Sequence, residues 1–468
     1  MNGKIDAVAR NEKIIQSPHV GLLVMGRKRP GFDPEWGALV KTRIIDRLKN
    51  GSFACTVPSE NIADDGELRR AVAQCRDAEA TTLVLVQPTI SDGRLSVLLA
   101  RLWDGPVIVW ATTEKQEGAM ISANSLVGSH VMAATLRQLG RSLEFVYGDP
   151  DDPEVVERLR IAILAVHATQ EIRNRKYGLI GYHAPGFVDF HADPVFLNET
   201  LGSQLYHVGT PELVSRVTGY TDSEIESARY RLERLGLSGG KALGTAGDAA
   251  EAISMQARYY QAFRDLFAEE RFDALAFRCW PDLPSMTGHW PYLALAVLVS
   301  EGFPIAMEGD IDGAICSRIA ESAEIGPVYL SDWLEHDEKT ATIWHTGAAP
   351  LQMSRDARLG VQFNNKKPTV VEATIQPDMD ATLFRIWRYD GVYHMATLEG
   401  RTVEPRRDLM ATNGLFFTDT VDVRDWFEDG VQRGMPHHFC VVRGHHGDFL
   451  KRVARLNGMY TAGTRSGT

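Results

Sequence analysis

Short apolar runs recur along the first two-thirds of the chain, and each ends abruptly in glycine, proline or a charged residue. Residues 20–25, 53–57, 81–86, 106–110 and 145–147 read as buried strands, separated by stretches of helical period such as 66–77. A continuous apolar run of this length between helical segments is the pattern of a strand covered on both faces, as in a parallel sheet. A long helix is expected over 152–175, where Val155, Leu159, Ile163 and Val166 share one face and Pro153 suits the first turn. A second βα series then begins at 176–181 and continues through 204–208, 274–277, 304–307 and 327–330. Both series open with an apolar strand, a glycine and a loop carrying Pro-Gly-Phe near an aspartate.

After residue 350 the period shortens. Residues 361–363, 369–374, 381–387, 393–397, 415–417 and 438–442 alternate as short strands, Asp390-Gly391 marks a hairpin, and helical pattern is nearly absent until 449–456. The expected fold is therefore α/β: two doubly wound, Rossmann-like domains (1–172 and 173–350) followed by a mainly antiparallel β domain (351–468).

Composition narrows the function classes. The 468 residues carry 50 basic and 61 acidic side chains, a net charge of −11, and no basic block, which argues against a nucleic-acid partner. The longest apolar run, 292–299, is far too short to span a bilayer, and the N-terminus lacks the apolar core of a secretory signal. Five scattered cysteines, never in CxxC spacing, fit a reducing compartment and argue against a Cys-rich zinc site. A soluble, cytoplasmic protein is expected.

Candidate chemistry centres on EGFPIAMEGDIDGAI, residues 301–315, where a strand breaks into Glu308, Asp310 and Asp312. Two further strands end in Asp332 (VYLSDW) and His345 (IWHTG). If all three strands lie in one parallel sheet, their carboxyl ends gather on one edge, and Glu308, Asp332 and His345 converge there. The GMPHHF segment brings His437 and His438 to a strand start, ready to supply a further ligand. Two carboxylates with imidazole suit a divalent ion, Mn²⁺ first, with Co²⁺ or Mg²⁺ as alternatives. Asp310 is expected to support the site or start the following helix, and Asp312 to cap that helix.

These four motifs, in this order, resemble the L-fucose isomerase and L-arabinose isomerase superfamily of metal-dependent aldose–ketose isomerases. The resemblance covers essentially the whole chain and implies Glu308 and Asp332 as acid/base pair and metal ligands, with His438 as the C-terminal ligand. His437 is the fallback, and His345 matches the arabinose-type histidine. Asp332 instead follows the fucose pattern, so the motifs do not specify the sugar. The reading that follows is interconversion of an aldose and its 2-ketose by proton transfer between C1 and C2, on a hexose, deoxyhexose or pentose. One alternative is an anionic sugar such as sulfoquinovose, because some members of the wider family act on sulfonated sugars. A further alternative is a non-catalytic two-domain sugar-binding protein. The resemblance also implies a homo-oligomer, trimer or hexamer, with sites at subunit interfaces. Candidate substrate contacts are Arg27 and Arg29 in a basic loop, Asn124, and Arg278 with Trp280 after a strand of the second series.

Overall fold

The structure is a computed structural model that describes residues 15–27, 32–59, 61–91, 93–238 and 246–462. The chain divides into two compact units. One comprises Gln16–Gln170 and Asp448–Gly458; the other is built on Glu171–Gly447 and takes in residues 459–462.

The first unit holds a five-stranded parallel sheet: β1 (His19–Val24), β2 (Ala54–Thr56), β3 (Thr82–Val86), β4 (Val107–Ala111) and β5 (Leu143–Tyr147), in the order β2-β1-β3-β4-β5. Strands β3 and β4 are buried at every position, as their unbroken apolar runs require. Helix Pro34–Lys49 starts where Asp33 accepts the Trp36 N–H at 3.0 Å and Pro34 takes the first turn, and it buries Val40, Ile44 and Leu48 along one stripe. The C-terminal helix, Gly447–Leu456, belongs largely to this unit: Arg452 and Arg455 both meet the buried Glu144 carboxylate of β5 at 2.5 Å.

The second unit contains two sheets. Four parallel strands, β6 (Lys176–Ile180), β7 (Gln204–Val208), β8 (Ala274–Phe277) and β9 (Ile305–Met307), run in the order β7-β6-β8-β9. Against them packs helix Tyr292–Ser300, apolar and buried on all sides. The other sheet has nine strands: β10 (Tyr329–His336), β11 (Thr340–His345), β12 (Ser354–Val361), β13 (Pro368–Ile375), β14 (Asp380–Tyr389), β15 (Val392–Val403), β16 (Thr412–Phe417), β17 (His438–Arg443) and β18 (Tyr460–Ala462). It is antiparallel except for β13–β16 and β15–β18. Pairing of β15 with β16 closes six strands, β16-β11-β10-β17-β14-β15, into a ring around Trp333, Ile343, Leu383, Phe416 and Phe439. Asp390 and Gly391, at φ +50° and +74°, turn β14 into β15.

The expected α/β class with a mainly antiparallel C-terminal sheet is what the chain adopts. Three local expectations need correction. The strands bearing Asp332 and His345 are not in the parallel sheet: β10 and β11 pair antiparallel with each other and with β17 and β16. A helix at Val423–Gln432, capped by Asp422, interrupts the β-rich region where none was expected. Finally, Asp310 rather than Asp312 caps helix Ile311–Ser322, its Oδ1 accepting the Gly313 N–H at 2.9 Å.

Candidate metal and acid–base site

Glu308 is the first residue after β9, with φ at +63°, a left-handed conformation that a non-glycine residue adopts at a cost. The next residue explains how the loop tolerates it. Gly309, at φ +79°, lies so close to the β6 loop that a Cβ there would sit 2.2 Å from the Tyr182 carbonyl oxygen. The Glu308 carbonyl accepts the Ala184 N–H at 2.8 Å, and Gly309 N–H donates to Phe277 at 3.0 Å. The Glu308 side chain, 4% exposed, is gripped at Oε1 by the Trp280 indole N–H at 2.9 Å, with Oε2 3.2 Å from His438 Nε2.

The antiparallel ring delivers the other groups. Asp332 on β10 is the direct cross-strand partner of His438 on β17, so the two side chains share a face. His345 ends β11 and is fully buried, and its Nε2 faces His438 Nε2 at 3.0 Å. The Asp332 Oδ1 atom, buried but without a hydrogen-bond partner, lies 3.5 Å from His438 Nε2, 3.8 Å from His345 Nε2 and 3.9 Å from His437 Nε2. Convergence therefore comes from the parallel sheet's edge for Glu308 and from strand register in the ring for the rest.

Ligand-type atoms of Glu308, His437 and His438 lie within 4.8 Å of one another, as do those of Asp332, His345 and His438. Two carboxylates and facing imidazole nitrogens, with an orphaned carboxylate oxygen among them, could hold a divalent cation. Cys279 sits nearby and is no thiolate ligand, because burial, with Glu308 beside it, pushes its pKa up.

Electrostatics follow from the same contacts. Burial alone drives Glu308 toward its neutral form, yet the His438 contact, the charges of His345 and His438, and the Trp280 N–H together hold it down at about 2. Burial works against protonation of His438, but Asp310 at Nδ1 (3.0 Å) and Glu308 at Nε2 raise it to about 9. Burial lowers the pKa of His345, against the raising influence of Asp332 and Glu308. Asp310 in turn is held bidentately by the buried Arg385 guanidinium, at 2.6 and 2.7 Å. Asp312 accepts from Tyr393 at 3.1 Å and pairs with Arg388 at 3.2 Å.

The loop after β6 supplies residues that sequence reasoning missed. Phe190, 2% exposed, lies against His437 and His438 with ring centroids 4.5 and 4.3 Å away, and Phe187 packs edge-on against Trp280 and His437. Asp189 takes His437 Nδ1 at 2.7 Å, which turns Nε2 toward Asp332. Their signal was positional, since the carboxyl end of β6 opens on the same sheet edge as that of β9. Arg278, at the end of β8, has its Nε 2.7 Å from Asp282, so its charge is paired within its own segment. Trp280 is brought to the site, but as a clamp on Glu308. Arg27 and Asn124 belong to the other unit; the Asn124 N–H donates to Glu114 at 2.5 Å. Arg29 lies outside the described residues.

No family model matches the chain. It is similar to proteins named sulfoquinovose isomerase: 24% identical over 455 residues to one from Priestia aryabhattai, covering 96% of this chain and 99% of the relative. Another, from Alkalicoccus urumqiensis, is 26% identical over 383 residues, 80% of this chain and 83% of the relative. A third, from Clostridium sp. (strain MSTE9), is 26% identical over 382 residues, 80% and 84% of the two chains.

Proposed function

We propose that this chain is a metal-dependent aldose–ketose isomerase whose substrate is a sulfonated aldohexose, sulfoquinovose, converted to the corresponding 2-ketose. The observation that carries the reading is the unpartnered Asp332 Oδ1 amid three imidazole nitrogens, one of them 3.2 Å from Glu308. The names of relatives aligned along nearly the whole chain support the sugar class, and favour the sulfonated sugar over a neutral hexose or pentose.

Glu308, Asp332 and His438 are the proposed ligands of Mn²⁺, with Co²⁺ or Mg²⁺ as substitutes, and His345 joins them through Nε2. When bound, the ion polarises the sugar carbonyl and its neighbouring hydroxyl. The chain's own groups then divide two proton movements, C2 to C1 and O2 to O1. Asp332, 27% exposed at its side chain and unpartnered at Oδ1, moves the carbon-bound proton. Glu308, fixed by Trp280 and weakly basic, moves the more acidic hydroxyl proton. Phe187 and Phe190 keep water from the imidazoles, and Asp189 holds His437 in one orientation toward the substrate side. A homo-oligomeric state belongs to the same proposal.

The test is turnover of sulfoquinovose against glucose by the Mn²⁺-loaded protein. Turnover of the sulfonated sugar, lost on chelation and on Glu308→Gln, is expected. Equal rates on both sugars, or full activity in Glu308→Gln, would overturn the reading.

A further inference from the structure

The four-stranded sheet that carries Glu308 on one outer strand leaves its other outer strand open. In the order β7-β6-β8-β9, β7 lies opposite β9. Gln204 N–H donates to Arg175 O, and Val208 C=O accepts the Gly181 N–H, so the backbone of residues 204, 206 and 208 bonds β6. The alternate residues, Leu205 and His207, therefore turn their N–H and C=O outward. Among the described residues, nothing hydrogen-bonds to those four groups.

The other outer strands are blunted. β2, β9 and β18 are three residues long. β12 is broken by two register shifts and carries Arg355, Asp356 and Arg358. β5 buries the charged Glu144, held by two arginines of the C-terminal helix. Short length, bulges, surface charge and inward charge are devices that keep an edge from pairing with another chain. β7 has none of them. It runs five residues in regular register without proline, acid, lysine or arginine, and exposes Gln204, Tyr206 and His207. Its neighbour β6 carries no carboxylate either, in a chain of net charge −11, so two copies can align these strands without opposing acids.

The pattern of outward groups is complementary to itself. When two β7 strands run antiparallel about a twofold axis at Tyr206, Leu205 of each lies opposite His207 of the other. Those residues then exchange both of their N–H···O=C bonds, and all four outward groups on each strand are satisfied. Tyr206, 49% exposed and backed by Lys176 Nζ at 3.9 Å from its ring centroid, meets its own counterpart as an aromatic cross-strand pair.

We propose that β7 pairs antiparallel with the β7 of a second copy of this chain, joining two four-stranded sheets into one of eight strands. The two halves run in opposite directions, so their strand carboxyl ends, and with them Glu308 of each chain, lie on opposite edges of the joined sheet. The contact adds no residue to either site and rests on no part of the isomerase reading.

The experiment is the molar mass of the full chain in solution, by sedimentation and light scattering at micromolar concentration. An assembly with an even number of chains is expected. Leu205→Pro removes an outward N–H and no bond to β6. Tyr206→Glu sets like charges across the axis, and inside its own chain that carboxylate can pair with Lys176. Each variant should halve the mass; if proline prevents folding, Tyr206→Glu, which keeps every backbone bond, decides. Tyr206→Cys should give on oxidation a disulfide-linked dimer that the wild type does not form. A monomer or an odd number of chains, a Tyr206→Glu chain of wild-type mass, or no cross-link through Cys at that position would overturn the proposal.

Discussion

The Nε2 atoms of His345 and His438 face each other across 3.0 Å, with the unpartnered Asp332 Oδ1 beside them. His438 carries the proton in the metal-free chain, with Asp310 and Glu308 raising it to about 9. A cation must displace that proton. Below about pH 9 the metal affinity is therefore expected to rise about tenfold per pH unit, flattening above. In the metal-free protein the sign is opposite: the stability His438 contributes is present below its unfolded value of 6.5 and lost as pH rises through about 9. Metal titrations at several pH values, with proton release followed in weak buffer, check both.

Asp310 and Arg385 form a pair almost wholly removed from water. Breaking it from one side strands a buried charge, so Asp310→Asn or Arg385→Met should each cost about 3–5 kcal/mol in denaturant unfolding. Because Asp310 also orients His438 through Nδ1, Asp310→Asn should loosen the metal about 10- to 100-fold. The double variant should recover much of the stability and little of the affinity.

At Gly309 a single methyl group is decisive. Gly309→Ala places a Cβ against a backbone carbonyl that cannot swing away, at a φ that alanine disfavours, and should destabilise by at least about 2 kcal/mol. Gly186→Ala, also at positive φ but with nothing within 4 Å, should cost only about 1–2 kcal/mol. Thermal unfolding of the two variants separates steric crowding from conformational preference.

Trp280→Phe keeps a ring against Phe187 and removes the N–H that Glu308 Oε1 accepts. One of the influences holding Glu308 low is lost, so its pKa rises. The acid limb of the turnover profile should move up by about one pH unit. A profile that stays in place would show that the indole serves packing alone.

Asp332→Asn should stop exchange of the C2 hydrogen with solvent deuterium, while Glu308→Gln should leave slow exchange but no net ketose. Proton NMR of the sugar in deuterated buffer reads both. Slow exchange surviving in Asp332→Asn and absent from Glu308→Gln would reverse the division of labour.

The parallel sheets were legible where their strands are buried on both faces and read as unbroken apolar runs, as at β8; β7 also falls on the expected residues although it is largely exposed. Glu308 was legible for a related reason, since acids at the end of such a strand stand out. The placement of Asp332 and His345 was not. An apolar strand ending in an acid looks the same in either sheet, and the register that sets Asp332 opposite His438 is a long-range property. Asp310 and Asp312 were equally acidic in sequence, and only their arginine partners on β14 distinguish them. The loop of Phe187 and Asp189 stood out only as Pro-Gly-Phe near an aspartate, and nothing in it marked those residues or Phe190 as part of the site.

The groups that would hold the ion come from places far apart in the chain. Glu308 leaves a parallel sheet, Asp332 and His438 meet across an antiparallel ring, and His438 follows Asp310, its buffer against rotation, by 128 residues. An ion shared among them is a clasp between two layers that fold from separate stretches. A chain still being synthesised holds no complete clasp until residue 438 has emerged, so an ion bound there would mark a finished fold. If the proposed ion closes the clasp, resistance to heat and to proteases should track free metal concentration, coupling the lifetime of the protein to metal supply.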